Sequence, residues 1–379
     1  MNYHFYLPLF ALLFACGNRH ENVGTSDFSN LTFSLDTVMV DPGEEIINLK
    51  NALWVSAIDP SATYLYNWDQ DNTVLEKINL DKLILEEKLP FEKEGPNGVG
   101  SYVSWMTLTN ENQILFSNWG DMSLFNHQGE RLQSYKLQGE KFEGDTLLEE
   151  EMLQRGAILD NSSNAIFGIL GTWTGKTFML GKVDYKNKKV TKHQLPNYEK
   201  ISDYSVKFTS PKMSMLAGAG QFVDRIDNKI ILSNSVFNTL LIYDLSLDSL
   251  YPIDYPLKLT KISKTGKYRN EVDSEKDFKQ VMTDINQEIN FSKPIWDGKN
   301  QRFYRFSYNH LPRENPLEQG ELPKYLVFLT IFDKDLNVLG EAEVQELDYV
   351  PNVHFVKDGK IWLYKNIDDE LAFVRLSIH

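Results

Sequence analysis

From about residue 31 onward, apolar residues alternate with polar ones or come in short runs bounded by Asp, Asn, Gly and Pro, the pattern of strands rather than helices. Six times the chain shows a β-run, a polar turn and a second β-run. The first three units are Trp54–Tyr66 around Asp59-Pro60-Ser61-Ala62, Val103–Phe116 around Thr109-Asn110-Glu111-Asn112, and Ala157–Ile169 around Asp160-Asn161-Ser162-Ser163. The last three are Phe222–Leu232 around Asp227-Asn228, Pro294–Arg305 around Asp297-Gly298-Lys299-Asn300, and Val353–Tyr364 around Asp358-Gly359. Asp, Asn and Gly suit such turns because they tolerate positive φ.

Most of these hairpins are followed by a third strand, an Asp or Asn at a turn, and an outer strand, as in Val74–Leu89, Met122–Leu137, Phe178–Leu195, Leu240–Leu257 and Leu326–Val344. Four antiparallel strands per unit predict an all-β fold, a six-bladed β-propeller occupying 31–379. Units recur every ~50–70 residues, longer than the usual blade, so insertions must lie between blades. The sixth unit stops after its third strand, Ala372–Ile378, and Leu31–Val40 has no hairpin partner. Placing that N-terminal strand outermost on the last blade closes the ring and protects two edges; a large sandwich with an edge strand is the competing reading. Two short helical insertions are expected, Thr146–Gln154 and Ser274–Ile289. The second carries Phe278, Met282, Ile285 and Ile289 on one face behind Ser274 as N-cap.

Composition changes the picture at the chain start. Leu7–Ala15 is apolar but too short to span a bilayer, and it ends in Leu13-Phe14-Ala15-Cys16-Gly17, the arrangement of a lipobox. Cys16 is the single cysteine, so it can form no internal disulfide, and its place at a cleavage site points to acylation. The n-region lacks Lys and Arg, a departure from the usual pattern. Residues 1–15 are thus expected to be a lipoprotein signal peptide and 16–30 a flexible tether from lipidated Cys16. The address is the cell envelope, on the outer membrane, because Gly17 gives no inner-membrane retention signal. The net charge of -14 argues against nucleic acid, which needs a basic stripe; the Lys and Arg residues read as scattered among carboxylates.

The lipobox, the segment Gly95-Pro96-Asn97-Gly98 between the first two units, and the stretch from Pro294-Ile295-Trp296-Asp297 to Phe303-Tyr304-Arg305 resemble six-bladed propeller lipoproteins of the Bacteroidetes type. That family is a domain of unknown function without assigned catalytic residues. The resemblance implies envelope location and fold, not chemistry.

Candidate chemistry gathers where second strands lead to third strands: Asn67-Trp68-Asp69, Asn118-Trp119-Gly120-Asp121, Thr172-Trp173-Thr174, Asn234 with Phe237, Arg305 with Tyr308 and His310, and Tyr364 with Asn366. Aromatic faces at one rim can stack on sugar rings or apolar peptide side chains, with Asn and Asp orienting the ligand; the same residues can instead wedge neighbouring blades apart. Trp68, Asp69, Trp119, Asp121, Trp173, Phe237, Arg305, Tyr308 and His310 are therefore the candidate ligand-binding residues, Trp119 and Trp173 foremost because they sit in Gly-containing turns. The polar stretch Arg305–Lys324, with Pro312, Pro316, Gly320 and Pro323, reads as a lid. No metal motif, nucleophile elbow or phosphate loop occurs, and Asn366-Ile367-Asp368-Asp369 reads as a solvated turn, so no cofactor is expected. The favoured function is non-enzymatic binding of a glycan, peptide or envelope protein on one propeller face. The alternatives are a carbohydrate-active hydrolase or lyase whose acid and base come from rim residues such as Asp69, Asp121, Arg305 and His310, and a structural part of an envelope assembly.

Overall fold

The computed structural model describes residues 28, 31–118, 120–154, 156–172, 177–211, 213–311 and 322–379. Most of its strands form a series of sheets that share one plan, a meander of four antiparallel strands. Sheet 1 is Ser56–Ile58, Tyr64–Asp69, Val74–Asn79 and Ile84–Pro90; sheet 2 is Trp105–Leu108, Ile114–Asn118, Asp121–Phe125 and Arg131–Tyr135. Sheet 3 is built on Ile158–Asp160, Ala165–Gly171, Met179–Asp184 and Lys189–Gln194, and sheet 4 on Gln221–Ile226, Lys229–Asn234, Leu240–Asp244 and Ser249–Ile253. Sheet 5 contains Ile295–Asp297, Arg302–His310, Tyr325–Asp333 and Val338–Glu343. To the meander sheet 3 adds Glu143–Gly144, paired in parallel, and Met152–Leu153, and sheet 5 adds Asn290–Phe291.

Sheet 6 departs from this order in one respect. Its His354–Lys357, Lys360–Ile367 and Glu370–Ile378 are completed by Phe33–Met39 from the other end of the chain. That strand runs antiparallel to Glu370–Ile378 from Phe33↔Ile378 to Met39↔Ala372. Arg375 adds a two-pronged bond to Asp36, at 2.8 and 2.6 Å.

The turns explain why the meanders form. A non-glycine residue with positive φ sits in the first hairpin of every sheet: Ala62, Asn112, Asn164, Asp227, Gln301 and Asp358. At the turn from third to fourth strand, Asn79, Asn126, Asp184, Asp244 and Asp333 each accept backbone N–H bonds from residues two to four further on. This is the Asx turn, in which a short side chain substitutes for a backbone acceptor.

Both faces of each sheet are covered, and successive side chains serve opposite neighbours. Leu65 packs with Trp362, Leu371 and Phe373 of sheet 6, whereas Tyr66 and Trp68 pack with Met106, Ile114 and Phe116 of sheet 2. Leu115 turns instead to Ile166 and Leu170 of sheet 3. Phe167 packs with Ile230 and Leu232 of sheet 4, Ile231 with Phe303 and Phe332 of sheet 5, and Tyr304 and Phe306 with Ile361 and Leu363 of sheet 6. The apolar clusters thus run in a cycle, each shared by two successive sheets and the last by sheets 6 and 1. The molecule is all-β and propeller-like.

Two helices were expected between sheets and one forms. Glu275–Gln287 is α-helical, with Ser274 Oγ accepting from Asp277 N at 3.1 Å and with Val281 and Ile285 buried. Thr146–Gln154 is not helical: it contains the short strand Met152–Leu153, which pairs with Gly171 and Leu170. Bonds to sheet 3 hold this segment open, Asp145 N to Val190 O at 3.0 Å and Gln154 N to Ile169 O at 2.8 Å, so tertiary partners override its helical pattern. A small three-stranded sheet, Val206–Thr209, Ser214–Ala217 and Glu271–Val272, packs with the helix.

Candidate functional site

Strand direction alternates within each sheet. The turns from second to third strand and the connections between sheets therefore emerge on one face, the rim face, and the other turns on the opposite face. The first and last described residues belong to that opposite face, where Thr32 and His379 exchange backbone bonds. Exposed large apolar side chains are distributed unevenly between the two. Ile46, Trp54, Tyr102, Leu148, Met213, Leu259, Ile262 and Leu322 all lie in rim-face connections or turns, whereas Leu247 lies in an opposite-face turn.

The rim face carries a cleft of about 620 Å³ at the junction of sheets 6 and 1. Residues Glu44–Lys50 form one wall, Asp69, Asn72 and Lys88 of sheet 1 another, and Asn366 and Asp369 of the sheet 6 turn the third. Its floor is a fixed polar network. Asn48 Nδ2 donates to Asp69 at 2.7 Å, Asn48 N donates to Glu76 at 3.1 Å, and Asn67 Nδ2 donates both to Asn48 O and to Glu76. Asn72 donates through its side chain and backbone to Asp69, and Lys88 Nζ donates to Ile46 O at 2.7 Å. The two carboxylates differ in character. Burial pushes Asp69 up, but the bonds from Asn72, Asn48 and Asp71 outweigh it and hold the carboxyl below its ordinary range. At Glu76, which is wholly buried, burial wins over Asn67, Asn48 and the Lys88 charge, and the carboxyl lies above its ordinary range.

Of the residues singled out from sequence, Asp69 belongs to this cleft, and so do Asn366 and Asp369 of the sheet 6 turn. Trp68 does not: it is 2% exposed, its ring edge-on to Phe91 at 5.7 Å and tilted against Phe116 at 4.8 Å. It wedges sheets 1 and 2 apart, which corrects its reading as a ring offered for stacking. Phe237 is likewise buried, edge-on to Tyr198 at 5.8 Å beneath the connection from sheet 3 to sheet 4. Arg305, 1% exposed, lies within a strand and not in a loop. Its guanidinium donates to Ser292 O, Asn238 O, Tyr255 Oη and Asn234 O and sits 5.1 Å from the Phe291 ring centre, tying sheet 4 to sheet 5 with no carboxylate partner among the described residues. Tyr308 and His310 continue that strand, half-buried and edge-on to Tyr325. Burial pushes the Tyr308 phenol up to about 12. The strand extends because Arg302–His310 pairs with Tyr325–Asp333 along its whole length, which shortens the expected lid to 311–324. Asp121 is exposed where the third strand of sheet 2 begins. Cys16, Trp119, Trp173 and lid residues 312–321 lie outside the described residues.

Sequence reasoning missed Asn48, the hub of the cleft, and a basic stretch on the same face. Between Tyr255 and Asn270 there is no carboxylate, while Lys258, Lys261, Lys267 and Arg269 are exposed. Lys264 in that stretch is buried, donating to Ile285 O and Asn290 Oδ1 at 2.9 Å each, and burial pulls its ammonium down to about 7 against the Glu288 charge. Among the described residues no three His, Cys, Asp or Glu side chains gather to hold a metal, and no helix is long and apolar enough to cross a membrane.

A family model described as a domain of unknown function, DUF4221, matches residues 28–343. A crystal structure of a DUF4221 member from Bacteroides vulgatus is similar at a TM-score of 0.67 and 15% identity, over 93% of this chain and 99% of that one. An exported protein of Bacteroides fragilis aligns at a TM-score of 0.47 and 9% identity, over 92% and 95%. The Cps50 beta-propeller domain of Myceliophteria thermophila aligns at 0.39 and 8% identity, over 85% and 95%. No curated protein matches the sequence.

Proposed function

The chain belongs to the DUF4221 family, and on that footing we propose that it is an exported lipoprotein whose six sheets are the blades of a closed propeller and whose rim face binds a glycan, peptide or protein partner without transforming it. Residues 1–15 direct export, the lipid on Cys16 holds the protein at the outer membrane, and 16–30 is the tether. The cyclic order of the apolar clusters supports closure, and the exit of the described chain on the opposite face leaves the rim free for a partner.

The observation that carries the binding reading is the cleft at the junction of sheets 6 and 1, whose amides and carboxylates are already fixed by hydrogen bonds to one another. Polar groups held in place before a ligand arrives lose little entropy on binding, which favours a specific site. Trp119 and Trp173 are the proposed stacking residues for ligands that extend beyond the cleft.

The test is a thermal-shift screen of the full-length chain in detergent against oligosaccharides and peptides, repeated with Glu44→Trp, which fills the cleft from its exposed lip. A ligand present at one hundred times its Kd stabilises the fold by about 2.7 kcal/mol, and Glu44→Trp abolishes that shift. Loss of acyl-chain labelling in Cys16→Ser tests the anchor. A shift that survives in Glu44→Trp places the binding elsewhere and overturns this reading of the site.

A further inference from the structure

Around the cleft, exposed acidic and exposed apolar side chains occur together. Glu44 and Glu45 stand in the connection from sheet 6 to sheet 1 and Asp368 and Asp369 in the turn of sheet 6; all four are exposed. The cations among the cleft-lining residues are already answered, Lys50 by Asp71 at 2.9 Å and Lys88 by Glu45 at 3.1 Å and Glu76 at 3.8 Å. The sector is therefore net acidic.

Apolar surface lies beside these charges. Ile46, a cleft residue, is 80% exposed, and Trp54, eight residues on in the same connection, is 49% exposed. These segments form one surface: Gln70 accepts from Val103 N at 2.8 Å and donates to Ser101 O, joining the sheet 1 turn to the second connection, while Asn48 joins the first connection to Asp69. A neutral sugar can donate hydroxyls to these carboxylates but leaves their charge uncompensated, and an acidic partner would be repelled by them. A cationic polypeptide satisfies both features, since it brings ammonium or guanidinium groups to the carboxylates and apolar side chains to Ile46 and Trp54.

We infer that the sector formed by the cleft and the two connections beside it is a docking surface for a basic, amphipathic polypeptide. This rests on the rim-face reading above and narrows its partner. One Lys or Arg side chain enters the cleft between Glu44 and Asp369, and an apolar neighbour covers Ile46. The basic stretch Lys258–Arg269 lies on the same face in the connection from sheet 4 to sheet 5, so the face carries opposite charge in different sectors.

The test measures binding of a lysine–leucine dodecapeptide to the full-length chain in detergent, with its glutamate–leucine counterpart and maltohexaose as the other probes. Two rim variants, Glu44→Lys/Glu45→Lys and Ile46→Ser/Trp54→Ser, are compared with Glu111→Lys/Asp335→Lys, which makes the same charge change on the opposite face. Unchanged melting temperatures verify that each variant is folded. The inference expects the basic peptide to bind and to weaken about tenfold in each rim variant, about 1.4 kcal/mol, while the opposite-face variant binds as the parent does. Equal weakening by the opposite-face variant means attraction to net charge and overturns it, as does equal binding of the glutamate–leucine peptide. Binding of maltohexaose alone, blocked by Glu44→Trp, overturns the partner class and leaves the rim-face function standing. Binding of none of the probes overturns both.

Discussion

Replacing Trp68 separates two roles that an aromatic residue at a propeller rim can play. As a wedge, its ring is fully enclosed by Phe91 and Phe116, and its Nε1 donates to Gln70 Oε1 at 3.2 Å, the same oxygen that holds Val103 N. Truncation to Ala leaves a cavity between sheets 1 and 2 and releases Gln70 from one of its partners. Buried Trp→Ala changes cost about 3–5 kcal/mol, and lost aromatic pairs add roughly 0.5–1.5 kcal/mol beyond area. Trp68→Phe keeps most of the volume and is expected to lose about 1–2 kcal/mol. Guanidinium unfolding of the full chain, read as the change in midpoint at unchanged slope, gives both values. A Trp68→Ala protein destabilised by less than ~1 kcal/mol refutes the wedge and returns the ring to the list of ligand contacts.

Other consequences follow from the same contacts. Arg305→Met removes four donated bonds and leaves the carbonyls of Ser292, Asn238 and Asn234 buried without this partner; a loss of about 3 kcal/mol or more is expected in the same unfolding assay, and a neutral result would deny it the role of tie between sheets 4 and 5. Deleting 31–40 strips sheet 6 of its outer strand and bares an edge along Glu370–Ile378, so light scattering should detect association of a protein whose parent stays dispersed; an unassociated, equally stable deletion counts against closure by this strand. Lys264 titrates near 7 when folded and near its ordinary 10.5 when unfolded. Between those values the unfolded chain binds the extra proton, so this residue makes stability rise as pH rises from about 7 to about 10. Lys264→Met should flatten that rise in urea midpoints taken across the range, and an unaltered slope would show that the ammonium is not held down by burial.

Much of this architecture is legible in the sequence because its two signals are local. Turn residues such as Asn112, Asn164, Asp227 and Asp358 mark hairpins whose backbone needs positive φ, and two-residue alternation marks the strands between them. The orphan strand near residue 33 is legible because an unpaired edge is costly. What the same signals withhold is facing. Each sheet is covered on both sides, so apolar side chains at Leu65, Tyr66 and Trp68 are all buried although neighbours point oppositely. Alternation then carries no distinction between core and rim, and Trp68 and Phe237 read the same as an exposed ring would. Arg305 misleads for another reason: a lone Arg before Pro-rich sequence suggests a loop, while its acceptors are backbone carbonyls of other segments that leave no trace in side-chain pattern.

The proposed site and the strand that completes sheet 6 are one piece of chain, which binds their energetics together. Phe33–Met39 completes sheet 6, and the chain then passes directly through Glu44–Lys50, the wall of the cleft, before entering sheet 1. That wall is held from the sheet 1 side by Asn48 and Lys88, and from the sheet 6 side by Val40 N bonded to Leu371 O at 2.9 Å. Opening the closing strand therefore displaces the cleft wall even if the remaining sheets stay folded, so binding must fail at or before the loss of sheet 6. The converse also holds: a polypeptide seated across the cleft touches both the connection and the sheet 6 turn, and it stabilises the junction by the full differential affinity it has for the closed form. A ligand that raises the melting temperature of the parent but still raises that of a chain lacking 31–40 would break this coupling, because the second protein has no closed junction for the ligand to favour.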